Sequence, residues 1–159
     1  MANQDKATMI VFSGDLDKAL ASFIIATGAA AMGKQVTMFF TFWGLSVLRK
    51  EQYVNVKKTF TEKMFEKMLP RGPEKLGISQ MNFGGLGAKM MKSVMKKKNI
   101  TSLKDLIELA KELDIKMVAC TMSMDVLGIT EEELIDGVDF AGVATYLADA
   151  DESNINLFI

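Results

Sequence analysis

Cys120 is the residue of this 159-residue chain whose chemistry is easiest to define, because it is the only cysteine and the sequence contains no histidine. A lone thiol can act as a sulfur nucleophile without a histidine or a metal. The missing histidines exclude Ser-His and Cys-His catalytic pairs, and a single cysteine excludes a cysteine-rich zinc site and a disulfide within the chain. A CxxC or two-cysteine peroxidase mechanism would need a second chain to supply the partner thiol. We therefore expect single-thiol chemistry with another molecule, and neither a metal nor a cofactor.

Cys120 follows residues 116–119, a predicted β-strand whose last three residues are apolar. Ligands of open α/β sheets bind beyond the carboxyl ends of the strands, so this position favours a functional site. Thr121 and Ser123 follow in a segment that can begin a helix, where backbone N–H groups would favour a thiolate over a thiol. A buried cysteine that packs as a small hydrophobic residue is the alternative, and position alone does not decide between the two.

A second candidate site lies after the first predicted strand. Ser13, Gly14 and Asp15 form a turn before a predicted helix, where an anion can bind backbone N–H groups. Lys18 can face the same sheet edge as Cys120 from that helix, and Trp43 can line a pocket there. The turn matches neither a GxGxxG nor a P-loop pattern, so capping of the helix and core packing of Trp43 are the alternatives.

Strand and helix patterns alternate along most of the chain. The predicted strands are 7–12, 35–40, 116–119, a brief one at Val138, and 155–159. The predicted helices are 16–32, 60–69, 88–97, 102–113, a short one after Thr130, and 141–149. This alternation predicts one three-layer α/β/α domain over residues 1–159 with a mostly parallel five-stranded sheet. Residues 49–99 are less regular and predict a flap of helices and loops on that core.

The net charge of -1 conceals a strong segregation of charge along the chain. Residues 1–48 are neutral overall, residues 49–98 carry 13 basic and 4 acidic side chains, and residues 99–159 carry 3 basic and 13 acidic ones. Such segments indicate pairing within or between subunits, or an anionic partner for the basic segment. We expect no nucleic-acid partner, because the basic residues alternate with Met and Phe rather than with stacking aromatic residues on a sheet.

The N-terminal residues have neither a basic region nor an immediate apolar run, so we expect no secretory signal and a cytoplasmic location. Residues 19–48 contain one charged side chain, Lys34, which divides them into uncharged segments of 15 and 14 residues. A helix that spans a bilayer needs about 20 apolar residues. Two buried elements of an α/β core are therefore predicted here, in preference to a membrane hairpin.

Several long segments match the pattern of a known family. They are VFSGDLDKALASFIIATGAAAMG, FFTFWGL, FGGLGAKMMKSVMKKKNI, LKDLIELAKELDIKMVACTMSMDVLGI, Gly142-Val143-Ala144 and the closing INLFI. Together they resemble the DsrE/DsrF-like sulfur-relay family, and in particular its methionine-rich DsrE-like subgroup, over nearly the whole chain. The resemblance implies a small α/β/α domain that assembles into oligomers, with a homotrimer or homohexamer expected here. It also implies that Cys120 carries sulfur as a persulfide.

Two functions remain open on this basis. The first is a sulfur carrier or sulfurtransferase component, in which Cys120 accepts sulfur from a donor protein and passes it to an acceptor protein. The alternative is a non-catalytic oligomeric binding module whose basic flap docks an acidic or membrane-associated partner, since some members of the resembled family lack a usable cysteine and serve as structural subunits. The reactivity of Cys120 distinguishes the two.

Overall fold

The computed structural model describes residues 5–159; residues 1–4, on which the expectation of no secretory signal depends, lie outside that range. The described residues form five strands: β1 (Lys6–Val11), β2 (Gln35–Phe40), β3 (Lys116–Cys120), β4 (Val138–Ala141) and β5 (Ile155–Phe158). They also form six α-helices: α1 (Leu16–Ala31), α2 (Phe60–Met68), α3 (Leu86–Lys97), α4 (Leu103–Glu112), α5 (Thr121–Leu127) and α6 (Val143–Asp151). Short 3-10 helices cover Phe42–Leu48, Pro73–Lys75, Phe83–Gly85 and Glu131–Glu133.

All five strands pair in parallel, in the order β4-β3-β2-β1-β5. The chain moves from β1 outward to β2, β3 and β4, and then returns through α6 to pair β5 with the free side of β1. Each parallel connection must cross over a face of the sheet, which places helices on both faces. The predicted three-layer α/β/α architecture is confirmed, and the five-stranded sheet is wholly parallel.

The two faces of the sheet are covered unequally. The larger core lies between one face and helices α1 and α4, and contains Met9 and Met38 of the sheet with Phe23 and Leu106 of the helices. The opposite face carries a much smaller buried cluster, called the thiol cluster below, to which α6 contributes: Phe39, Val118, Cys120 and Tyr146. Side chains alternate between the faces along a strand, so Cys120 lies on the sparsely covered face.

Residues 19–48, in which Lys34 is the one charged side chain, form most of α1, β2 and the 3-10 helix Phe42–Leu48. The sequence did not predict this 3-10 helix. This 3-10 helix is largely buried and packs closely against β1, because a Cβ on Gly44 would lie 2.0 Å from the carbonyl oxygen of Val11. No helix within residues 5–159 has the length and apolar character needed to cross a membrane.

Two expectations near the C-terminus are corrected by the structure. The short helix predicted after Thr130 is a single 3-10 turn, Glu131–Glu133. Its backbone is held by residues far away in sequence, since the Lys50 N–H donates to the carbonyl of Glu133 and the Ile135 N–H donates to that of Leu48. These bonds require an extended chain immediately after the turn. In addition, β4 extends to Ala141, so α6 begins two residues later than predicted.

Residues 49–99 contain α2, α3, two 3-10 turns and loops, and they are tied to the carboxyl edge of the sheet near the start of α1. The Leu16 N–H donates to the carbonyl of Gly77 over 2.7 Å. The Ser79 hydroxyl and N–H both donate to the carboxylate of Asp17, over 2.5 and 2.8 Å. Burial raises the pKa of Asp17, but these hydrogen bonds outweigh it, so the pKa lies below its ordinary value.

A buried group of charged side chains, called the ionic cluster below, fixes this basic segment to the acidic C-terminal third. Its members are Arg49, Lys58, Glu66, Arg71 and Glu133. Lys58 Nζ donates to both carboxylate oxygens of Glu133, over 2.7 and 2.8 Å, and lies 3.4 Å from Glu66. Burial lowers the pKa of Arg49, and Arg71 lowers it further, whereas Glu133 and Glu66 oppose the shift. Part of the predicted charge pairing is therefore internal.

Candidate functional site

Cys120 is the last residue of β3 and stands immediately before α5, where it pairs with Ala141 at the end of β4. Helix α5 packs Met124 and Leu127 into the larger core, whereas α6 packs Tyr146 into the thiol cluster on the other face. The chain therefore leaves the adjacent ends of β3 and β4 toward opposite faces of the sheet. Open α/β sheets bind ligands at such a point, which makes Cys120 a candidate site residue.

The Cys120 side chain is buried, with 3% of its surface exposed. Phe39 of β2 and Tyr146 of α6 belong to the same cluster, and their rings stand 5.2 Å apart. Ala141, at the end of β4, and Ala150, near the end of α6, are partly buried against this cluster. A reagent or partner therefore reaches the thiol only when part of this cluster moves.

A pair of hydroxyl groups lies beside the cysteine at the carboxyl edge of the sheet. Ser123, which is fully buried in α5, forms a 2.7 Å hydrogen bond with the hydroxyl of Thr41. The register pairs Phe40 with Ala119, so Thr41 follows β2 at the level where Cys120 ends β3. Sequence reasoning named Ser123 and missed Thr41, although a polar residue directly after a buried strand at this edge was the available signal. Thr121 is exposed at the start of α5.

The residues after β1 are accounted for by the turn that begins α1. The Asp15 N–H donates to the Ser13 hydroxyl, which in turn donates to the Asp15 carboxylate, both over 3.1 Å. Lys18 lies 3.4 Å from the same carboxylate. A Cβ on Gly14 would lie 2.6 Å from the carbonyl oxygen of Trp43, so this glycine permits a close backbone approach. These contacts favour the turn interpretation that the sequence left open.

The structure separates this turn from the cysteine. Helix α1 covers the face of the sheet opposite to the thiol cluster, so Lys18 and the Cys120 side chain lie on different sides. Trp43 is 44% exposed in the 3-10 helix after β2. Five cavities of about 330 to 550 Å³ lie on the described residues, and Cys120, Lys18 and Trp43 line none of these five. Within residues 5–159, no cluster of three or more carboxylate or thiol side chains is arranged to hold a metal.

Removing the Tyr146 ring is expected to expose the thiol. A Tyr146→Ala variant should be alkylated at Cys120 at least about tenfold faster than the wild type, because loss of a buried ring makes local opening cheaper by more than the 1.4 kcal/mol that equals a factor of ten. Leu147→Ala is the matched control, since Leu147 is the next residue of α6 and is 54% exposed. Equal alkylation rates in the two variants would show that α6 does not control access.

These features define a small, doubly wound α/β protein that presents one thiol at the carboxyl edge of a parallel sheet. The model of the DsrE/DsrF/DrsH-like family matches residues 3–158. The chain belongs to this family, which confirms the resemblance seen in the sequence.

Relatives support this placement over the full length of the chain. The chain is 60% identical over 160 residues to Uncharacterized protein YrkE of Bacillus subtilis (strain 168), with 100% of both chains covered. It is 39% identical over 160 residues to Sulfur carrier protein DsrE2 of Allochromatium vinosum, with 98% of this chain and 99% of the relative covered. The crystal structure of the ychN protein from E. coli has the same fold, with a TM-score of 0.57 at 9% identity, covering 98% of this chain and 99% of that one.

Proposed function

We propose that this protein is a sulfur carrier of a sulfur relay, which holds sulfur as a persulfide on Cys120 and passes it to a partner protein. The observation that carries the proposal is the position of the only thiol of the chain. It lies at the carboxyl end of β3, where the connections that follow β3 and β4 leave toward opposite faces of the sheet. Family membership supports a relay role, and the relative named a sulfur carrier protein is similar over nearly the full chain. The donor and the acceptor are other proteins.

The transfer balances without a metal or an external oxidant. The Cys120 thiolate attacks the outer sulfur of a donor persulfide, a new S–S bond forms on Cys120, and the donor leaves as a thiolate when its own S–S bond breaks. In the second step an acceptor thiolate attacks the outer sulfur on Cys120, and Cys120 leaves as a thiolate. Because the chain has one cysteine, no second thiol within it can intercept the persulfide.

The residues next to Cys120 have distinct roles in this proposal. Thr121 and Ser123 belong to the first turn of α5, which begins directly after Cys120. The Thr41–Ser123 hydrogen bond holds the end of β2 against this turn. Tyr146 is buried in the same cluster as the thiol, and in this proposal the cluster shields a bound persulfide from water and from other thiols until a partner engages α6.

The direct test is sulfur loading followed by transfer. Reduced protein incubated with inorganic polysulfide should gain about 32 Da per sulfur atom at Cys120, and an added thiol acceptor should remove that mass and gain the sulfur itself. A thiol that reacts only after denaturation would contradict the proposal. The non-catalytic binding module would then be the remaining function.

We also propose that the protein functions as a homo-oligomer, a trimer or hexamer. Val143 and Leu147 of α6 and Phe158 of β5 are between 54% and 67% exposed, and burial between subunits would remove this apolar surface from water. Sedimentation velocity at micromolar concentration should therefore show a species of at least three chains. A monomer alone under these conditions would contradict the proposed oligomer but not the proposed sulfur transfer by Cys120.

A further inference from the structure

Helix α3 and the loop before it expose a row of large apolar side chains. The row consists of Met81, Phe83, Leu86, Met90 and Val94, which are 73%, 74%, 59%, 62% and 48% exposed. Leu86, Met90 and Val94 are spaced four residues apart, so they form one stripe along the helix. Ala88 is buried on the other side of α3, where Met91 and Met95 pack against the larger core. The apolar row is thus the outward face of a helix whose inner face is already packed.

The backbone holds the beginning of this row in place. Met81 and Phe83 have φ values of 59° and 44°, in the left-handed region that large side chains rarely adopt. The loop is pressed against the first turn of α3, because a Cβ on Gly87 would lie 2.0 Å from the carbonyl oxygen of Met81. Strained backbone of this kind persists only where the surrounding structure enforces it. The exposure of these two side chains is therefore built into the fold.

The surroundings of the apolar row are strongly basic. Residues 75–104 contain seven lysines and no acidic residue. Lys89, Lys96 and Lys97 are exposed on α3 beside the row, and no ion pair engages them among the described residues. Lys92, in the middle of α3, instead pairs with Glu74 of the 3-10 helix Pro73–Lys75. The outward face of α3 thus combines uncompensated positive charge with exposed apolar surface.

We infer that α3 docks this protein on the surface of an anionic lipid bilayer, with the apolar row entering the interface and the lysines contacting the headgroups. A short basic helix with one apolar stripe is the pattern of helices that lie in the membrane interface. All seven cations of residues 75–104 are lysine. Protein interfaces are depleted in lysine and enriched in arginine, whose planar guanidinium group forms two hydrogen bonds with one carboxylate. The lysine-only composition therefore favours lipid over an acidic protein. The row is also a single stripe of side chains, which can enter a bilayer without a matching groove.

This inference goes beyond sulfur transfer and does not depend on it. Docking through α3 would locate the carrier at a membrane surface, and a protein without any activity at Cys120 would still bind there.

Vesicle binding tests the inference with the full chain. Co-sedimentation should show binding to phosphatidylcholine vesicles that contain about 30% phosphatidylglycerol, weak binding to phosphatidylcholine alone, and release in about 1 M salt, where charges are screened within a few ångströms. The Lys89→Gln/Lys96→Gln/Lys97→Gln variant should bind about a hundredfold more weakly, at about fivefold for each lysine. Met90→Ser should lose roughly tenfold through the apolar contact.

Helix α2 and the segment just before it provide the matched controls. Lys57→Gln/Lys63→Gln/Lys67→Gln removes the same charge from exposed positions, Lys57 lying three residues before α2, and Met64→Ser removes a half-exposed methionine. Both controls should retain binding within about fivefold, the effect of one lysine. Equal losses in the α2 and α3 variants, or no binding to anionic vesicles at low salt, would overturn the inference. So would preferential binding of polyglutamate, which indicates an acidic protein, or a smaller oligomer for Met90→Ser, which indicates that another copy covers the row.

Discussion

Replacing Cys120 by serine is expected to abolish sulfur loading completely. The wild-type protein should gain about 32 Da per sulfur with polysulfide, whereas Cys120→Ser and Cys120→Ala should gain none, because only a thiolate attacks sulfane sulfur at a useful rate. Intact-mass spectrometry of the native protein measures the gain, and it identifies the site without digestion because there is no other cysteine.

Two controls make this result specific. The chain has 13 methionines, and oxidation of any two would also add about 32 Da, but dithiothreitol removes a persulfide sulfur and leaves methionine sulfoxide unchanged. The serine variant places a hydroxyl in the apolar thiol cluster at a cost of about 1–3 kcal/mol, so its circular dichroism and thermal transition must show a folded protein. A mass gain that persists in a folded Cys120→Ser variant would contradict the assignment.

The second large effect is expected on stability, from truncation of Glu133. Glu133→Ala should lower the free energy of unfolding by about 3–5 kcal/mol, because it leaves the three cations of the ionic cluster with Glu66 as the one remaining carboxylate of that cluster. Lys58 would lose both of its hydrogen bonds to Glu133, and Arg49 would lose the carboxylate that lies 3.9 Å away. Urea unfolding measures this difference.

Glu131→Ala is the matched control for this variant. Glu131 occupies the same 3-10 turn and is exposed, so its truncation should change stability by less than about 0.5 kcal/mol. Similar losses in the two variants would show that the turn itself, and not the buried charge, determines the stability. No loss in Glu133→Ala would show that the ionic cluster contributes little to folding.

Local patterns were sufficient to predict most of the helices and strands. Helix α4 begins where expected because Ser102 accepts a hydrogen bond from the Asp105 N–H, a capping interaction that the sequence encodes within four residues. The alternation of such helices with apolar strands predicted the layered α/β architecture. Parallel strands need crossover connections, and a chain with this alternation has few other ways to bury them.

Elements that depend on distant contacts were not predicted. The turn at Glu131–Glu133 resembles a helix start in sequence, yet the Glu133 carbonyl accepts from the Lys50 N–H and the Ile135 N–H donates to the Leu48 carbonyl. The 3-10 helix Phe42–Leu48 is possible because Gly44 approaches β1 closely, a contact that no local pattern indicates. In both cases tertiary hydrogen bonds or packing override the local preference.

The sequence by itself determined the kind of chemistry open to the protein, since one cysteine and no histidine leave a single thiol at the end of a strand. It also determined the segregation of charge and the family. Only the tertiary structure decided that Cys120 faces the sparsely covered side, in one cluster with Tyr146. It also decided that Thr41 bonds to Ser123 at the same edge of the sheet, and that Lys18 lies on the other side. The reason is physical: side-chain identity and local periodicity are carried by neighbouring residues, whereas the burial of a thiol depends on elements brought together from β2, β3 and α6.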